Sequence, residues 1–87
     1  MVYRVELVPA AARALDALPE KVYSQSQKRI DVLAKTPRPP GARKLEGHEG
    51  LWRVRSGDYR IVYQIENRKL LVLVVRIGNR REVYLGL

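Results

Sequence analysis

Residues 2–8, Val-Tyr-Arg-Val-Glu-Leu-Val, alternate apolar Tyr3, Val5 and Leu7 with charged Arg4 and Glu6. That period of two predicts a strand with one buried face. Pro9 opens an alanine-rich run. Proline suits the first turn of a helix and alanine is the best helix former. Ala11, Leu15 and Leu18 fall at i, i+4 and i+7, one stripe for a core. Pro19 breaks the run and starts a second helix, with Glu20 favourable at its positive end. Val22, Ser26, Ile30 and Leu33 keep helical spacing, and the helix is expected to stop near Lys35, because Pro37 disfavours helical geometry in the residue before it. The pair predicts an antiparallel helical hairpin with a very short connection.

Pro37-Arg38-Pro39-Pro40-Gly41 is a stiff loop, and the pattern beyond residue 44 returns to period two. Leu51–Arg55, Tyr59–Ile65 and Leu70–Ile77 read as strands, with a short fourth piece at Glu82–Leu85. Leu70–Ile77 is apolar at nearly every position, which predicts a central strand buried on both faces. The order β-α-α-β-β-β(-β) defines an α+β class: a small antiparallel sheet backed on one face by the N-terminal helical hairpin. With 87 residues the chain is expected to form a single domain, 1–87.

Ser56-Gly57-Asp58-Tyr59 fits a two-residue hairpin with Gly57 in the first central position of a type II′ turn. That turn fixes a register: Ser56 opposite Tyr59, Arg55 opposite Arg60, Val54 opposite Ile61, Arg53 opposite Val62, Trp52 opposite Tyr63. Opposed residues share a face. Trp52, Val54, Ile61, Tyr63 and Ile65 then turn toward the helices as core, while Arg53, Arg55 and Arg60 share the other side with Val62. Arg55 opposite Arg60 is a like-charge pair that costs stability, and no acid adjoins it on that face. Uncompensated guanidinium groups suit phosphate recognition, each offering a planar fork of donors and a permanent charge. The alternative is a solvated face on which arginine stems cover apolar neighbours. A second basic block, Gly78-Asn79-Arg80-Arg81-Glu82-Val83-Tyr84, emerges where the apolar strand ends.

Composition narrows the partner. Lysine plus arginine total 17 against 9 acids, a net charge of +8, which draws nucleic acid, an anionic membrane or an acidic protein, or serves only solubility. The absence of cysteine excludes disulfides and thiol catalysis. His48 is the only histidine and lies between acids in a glycine-bounded loop, so neither a metal nor a cofactor is expected. The longest apolar run, Leu70–Val75, is far below the ~20 residues of a membrane span, and Arg4 and Glu6 interrupt any leader, so a cytoplasmic protein is expected.

The stretch Gly50-Leu51-Trp52-Arg53-Val54-Arg55-Ser56-Gly57-Asp58-Tyr59-Arg60-Ile61-Val62-Tyr63, followed by Gly78–Tyr84, resembles the RelE/ParE superfamily of bacterial and archaeal toxins. Leu18-Pro19-Glu20 and Thr36-Pro37-Arg38-Pro39 fit it too. The resemblance implies a curved sheet backed by two N-terminal helices and the toxin role in a type II toxin–antitoxin system. A RelE-like branch acts as a ribosome-dependent endoribonuclease, cleaving mRNA in the ribosomal A site. A ParE-like branch instead inhibits DNA gyrase by binding it. Either is held inactive by a cognate antitoxin. Carried onto this chain, the nuclease branch's catalytic positions match Arg53, Arg55, Arg60, Arg80 and Tyr84. Lys44 and Arg81 are further candidates for RNA contact. The family often has lysines at the two alternating basic positions, both arginine here, and Asn79 stands where many relatives carry histidine.

The chemistry bounds the roles. An arginine, with a pKa above about 12, stabilises phosphorane charge well but cannot serve as a general base at neutral pH. Arg53, Arg55 and Arg60 are therefore expected to clamp the scissile phosphate, and Arg80 to hold its leaving side. Tyr84 either stacks on a base, assists proton transfer, or closes the core as a terminal aromatic.

Overall fold

The computed structural model describes residues 2–87. Strand β1, Arg4–Leu7, leads into α1, Pro9–Asp16, and α2, Glu20–Lys35. The two-residue β2, Arg43–Lys44, precedes β3, Leu51–Ser56, β4, Tyr59–Glu66, and β5, Leu71–Asn79. These strands form one sheet in the order β1-β5-β4-β3-β2. Pro9 occupies the first turn of α1, and Pro19 flanks the start of α2. The buried stripe of the helices is Ala11 and Leu15 on α1 with Ser26, Ile30 and Leu33 on α2. They pack on Val54, Ile61, Tyr63, Val72, Val74 and Ile77 of the sheet.

The β3–β4 hairpin has the register that its turn chemistry predicts, from Ser56↔Tyr59 through Arg55↔Arg60 to Trp52↔Tyr63. Gly57 has φ +61 while Asp58 does not, as a type II′ turn requires.

Four expectations change. The sheet is mixed, because β1 runs parallel to β5 with Arg4 opposite Leu71 and Leu7 opposite Val74. Alternation specifies which side of a strand is buried, but not the direction of its partner. The middle strand is β4; β5 is interior only because β1 adds beyond it. Nor is β5 buried on both faces: Val72, Val74 and Ile77 are buried and the residues between them half-buried. Last, Glu82–Leu85 is not a strand. Residues 80–86 are consecutive turns, closed locally by Glu82 and Val83 N–H groups donating to Asn79 O and by Leu85 N–H donating to Glu82 O. Their backbone groups are used within the turn, so no ladder forms.

Candidate functional site

Strand pairing sorts the basic side chains by face. On the side away from the helices, one row crosses four strands: Arg43, Arg53, Val62 and Arg76. The next row is Arg55, Arg60 and Gly78. Paired residues project to the same side, so five arginines belong to one face. At ~4.8 Å per strand, the backbones of Arg53 and Arg76 lie about 10 Å apart across Val62. Val62 itself is fully buried. Among the described residues the one ion pair is Arg4–Glu6, 2.6 Å, on the opposite edge strand. None of these five arginines is paired with a carboxylate among the described residues; the acids that share the face, Glu6 and Glu66, stand farther along it.

The arginines are not equivalent. Arg55 is exposed, while Arg53 and Arg60 are half-buried. Arg60 folds back on the hairpin turn, its Nη1 donating to Gly57 O at 3.3 Å and Tyr59 O at 3.1 Å. Those bonds use one nitrogen and leave the remaining guanidinium donors for a ligand. Lys44 lies in register with Trp52, so it belongs to the helix-facing side at the sheet edge and is not brought together with the two arginine rows. Trp52 and Tyr63 are core, as expected, with Arg38 stacked over the Trp52 ring at 5.1 Å.

The C-terminal block closes onto one end of this face. Arg80 N–H donates to Asp58 O at 2.9 Å, docking the block on the hairpin turn. Arg80 and Arg81 are exposed, and the Arg81 backbone N–H donates to the Asn79 Oδ1 at 3.0 Å. Val83 is buried against Gly78. Tyr84 is half-buried, between two residues whose carbonyls share a single partner: Arg76 Nη1 donates to Val83 O at 3.2 Å and to Leu85 O.

Arg43 and Arg76 escape a reading of the sequence alone. Arg76 is the lone charge in an apolar strand, and its orientation depends on a β-bulge. Val62 pairs with Arg76 but Tyr63 pairs with Val74, leaving Val75 as an extra residue. Without that residue, strict alternation from Val72 and Val74 would turn Arg76 into the core and Ile77 outward. The one available signal is the sequence Val72-Leu73-Val74-Val75-Arg76-Ile77, whose period slips by one at Val75.

Among the described residues no three His, Asp or Glu side chains gather as a metal site, and no helix is long and apolar enough to cross a membrane. What remains is a small α+β scaffold presenting an arginine face beside a tethered tyrosine. A family model described as the ParE toxin of type II toxin–antitoxin systems, parDE, matches residues 5–84. The chain belongs to this toxin family, in the RelE branch of the RelE/ParE superfamily. It is 34% identical to the toxin RelE of Mycobacterium tuberculosis over 83 residues, covering 94% of this chain and 86% of that protein. It is 32% identical to the mRNA interferase toxin RelE of Escherichia coli K12 over 88 residues, covering 97% and 92%. Its fold matches the RelE–RelB complex of Pyrococcus horikoshii with a TM-score of 0.82 and 30% identity, covering 95% of this chain and all of that one.

Proposed function

We propose that this protein is a toxin that cleaves mRNA in the ribosomal A site and so halts translation, and that a cognate antitoxin holds it inactive. The observation that carries this reading is the double row of arginines with the Arg80–Tyr84 block docked at its end. Likeness to a protein named an mRNA interferase supports it. Such a protein works in the cytoplasm, where ribosomes are.

In the proposed reaction, the 2′-oxygen attacks the adjoining phosphorus as its proton leaves. The bond from phosphorus to the 5′-oxygen breaks and that oxygen takes up a proton, giving a 2′,3′-cyclic phosphate and a 5′-hydroxyl. Arg53, Arg55 and Arg60 hold the scissile phosphate and stabilise the charge of the phosphorane. Arg80 holds the leaving side. Tyr84 stacks on a base or moves a proton. Arginines supply no neutral-pH base, so the rate comes mainly from charge stabilisation and from the in-line geometry that the ribosome imposes.

The test compares RNA cleavage with and without translating ribosomes, and maps mRNA 5′ ends after brief induction. We expect cleavage on ribosomes and little on naked RNA. Arg80→Ala and Arg53→Ala/Arg55→Ala should lower the rate by about 100-fold or more. Tyr84→Phe keeps the ring and removes the hydroxyl, so loss of activity assigns the phenol to proton transfer and retention assigns the ring to stacking. Equal rates on naked RNA would sink the ribosome dependence. Arrest of replication with DNA damage, in place of arrested protein synthesis, would favour the gyrase-inhibiting branch of the family.

A further inference from the structure

The side of the sheet that the helices leave open changes character along its strands. Near the hairpin turn it is the pair of arginine rows. Toward the β4–β5 connection, strand pairing sets out a row of Leu51, Gln64, Leu73 and Glu6, and beyond it a row of Glu66, Leu71 and Arg4. Gln64 stands two positions from Val62, and paired residues project to the same side, so both rows share the arginine face. Leu51, Leu71 and Leu73 are half-buried, and Leu51 and Leu73 stand on either side of Gln64.

Both acids of this patch are engaged. Glu6 pairs with Arg4 at 2.6 Å. Glu66 Oε1 accepts a hydrogen bond from Gln64 Nε2 at 2.9 Å. That bond settles which end of the Gln64 amide faces the carboxylate. An amide side chain has a carbonyl acceptor and two N–H donors, and the bond uses one donor. An acceptor and a donor are left side by side, held in a fixed orientation between two leucines.

We propose that this patch is a nucleobase subsite in which Gln64 reads adenine. The Gln64 oxygen accepts from the adenine N6 amino group, and the remaining N–H donates to N7, the bidentate pairing that suits a glutamine amide. Leu51 and Leu73, with backbones about 10 Å apart across β4, contact the two faces of the base. The patch is continuous with the phosphate-holding rows: Gln64 lies about 7 Å along β4 from the row of Arg53 and Arg76. That is within the span of one nucleotide, so a phosphate held by the arginines brings its own base to Gln64. Sequence-specific readers of single-stranded RNA splay out a base and bond its edge in this manner. The assignment of the strand as transcript rests on the cleavage reading; the adenine chemistry does not.

The test measures kcat/KM for cleavage on ribosomes programmed with A-site codons that differ by one base, for the wild type, Q64L and Q64M. At one codon position the wild type should favour adenine by about 10- to 100-fold. Both variants should bring the adenine codons down to the level of the others. Thermal melting controls for folding, and Q64M, which matches the amide in length, replaces Q64L if that variant unfolds. A second measurement needs no cleavage: binding of uncleavable 2′-deoxy trinucleotides with adenine, guanine, cytosine or uracil at the centre. The purified protein should bind the adenine form most tightly, and the folded variant should erase the difference. A wild type indifferent to the base, or a folded variant that keeps the adenine preference, would overturn the proposal. So would loss of antitoxin binding in the variant with the base preference intact, which would assign the patch to a protein partner. Failure of the wild type to cleave mRNA on ribosomes overturns the cleavage reading instead, and the trinucleotides then decide the subsite by themselves.

Discussion

Arg76 links the scaffold to the segment proposed to carry the chemistry. Its guanidinium lies on the arginine face, yet its Nη1 is committed to the carbonyls of Val83 and Leu85, on either side of Tyr84. Hydrogen bonds from a charged donor contribute about 1.5–3 kcal/mol. Arg76 is thus a positioning residue: it fixes the segment that carries the tyrosine. Arg76→Ala should free residues 83–87 without disturbing the core. Amide hydrogen exchange at Leu85 and Leu87 should quicken while that of β4 is unchanged. On ribosomes, kcat should fall by about tenfold or more with KM nearly constant, because the arginines proposed to hold RNA are still present. A parallel rise in KM would instead make Arg76 an RNA contact.

At the scale of elements, the joint between α2 and the end of β3 is a pair of buried hydroxyls, Ser26 Oγ and Ser56 Oγ, 3.0 Å apart. They seat the hairpin whose turn receives Arg80. Removing one leaves the other buried without a partner, at a cost of about 1–3 kcal/mol, whereas removing both is nearly neutral. Ser26→Ala and Ser56→Ala should each destabilise the protein in urea titrations, with the double variant well short of their sum; simple additivity would show that the pair is not coupled. The hairpin was legible from Gly57 and the alternation beside it, since a two-residue turn leaves one register, and Arg53, Arg55 and Arg60 followed as neighbours. Arg76 was not legible, because a bulge at Val75 decides its face and a continuous apolar run hides that extra residue. The turns of 80–86 were misread for a related reason. Glu82-Val83-Tyr84-Leu85 has strand-like composition, and contacts distant in sequence, the Arg80 bond to Asp58, the bonds from Arg76 and the burial of Val83 against Gly78, help hold it folded back. The parallel placement of β1 is a long-range pairing on which local alternation is silent.

Across the whole molecule, one phenol ties the proline loop to the middle of the sheet. Tyr63 on β4 is 0% exposed, and its hydroxyl donates to Pro37 O at 2.7 Å. Burial pushes this phenol from 10.0 up to about 12, with the nearby Arg38 pulling weakly the other way. The folded state therefore keeps the proton between about pH 10 and 12 while the unfolded chain gives it up. Stability from Tyr63 is full below pH 10 and is lost as the pH rises toward 12, at about 1.4 kcal/mol per pH unit and about 2–3 kcal/mol in all. The comparison is with Tyr63→Phe, which changes no other ionisable group. At neutral pH the phenylalanine variant should be less stable by about 1 kcal/mol, from the lost hydrogen bond. In urea titrations from pH 9 to 12 the gap should close and then reverse, because the variant has no phenol to ionise on unfolding. A gap independent of pH would mean that the phenol ionises equally well in the folded state, and that the proline loop does not seal this part of the core.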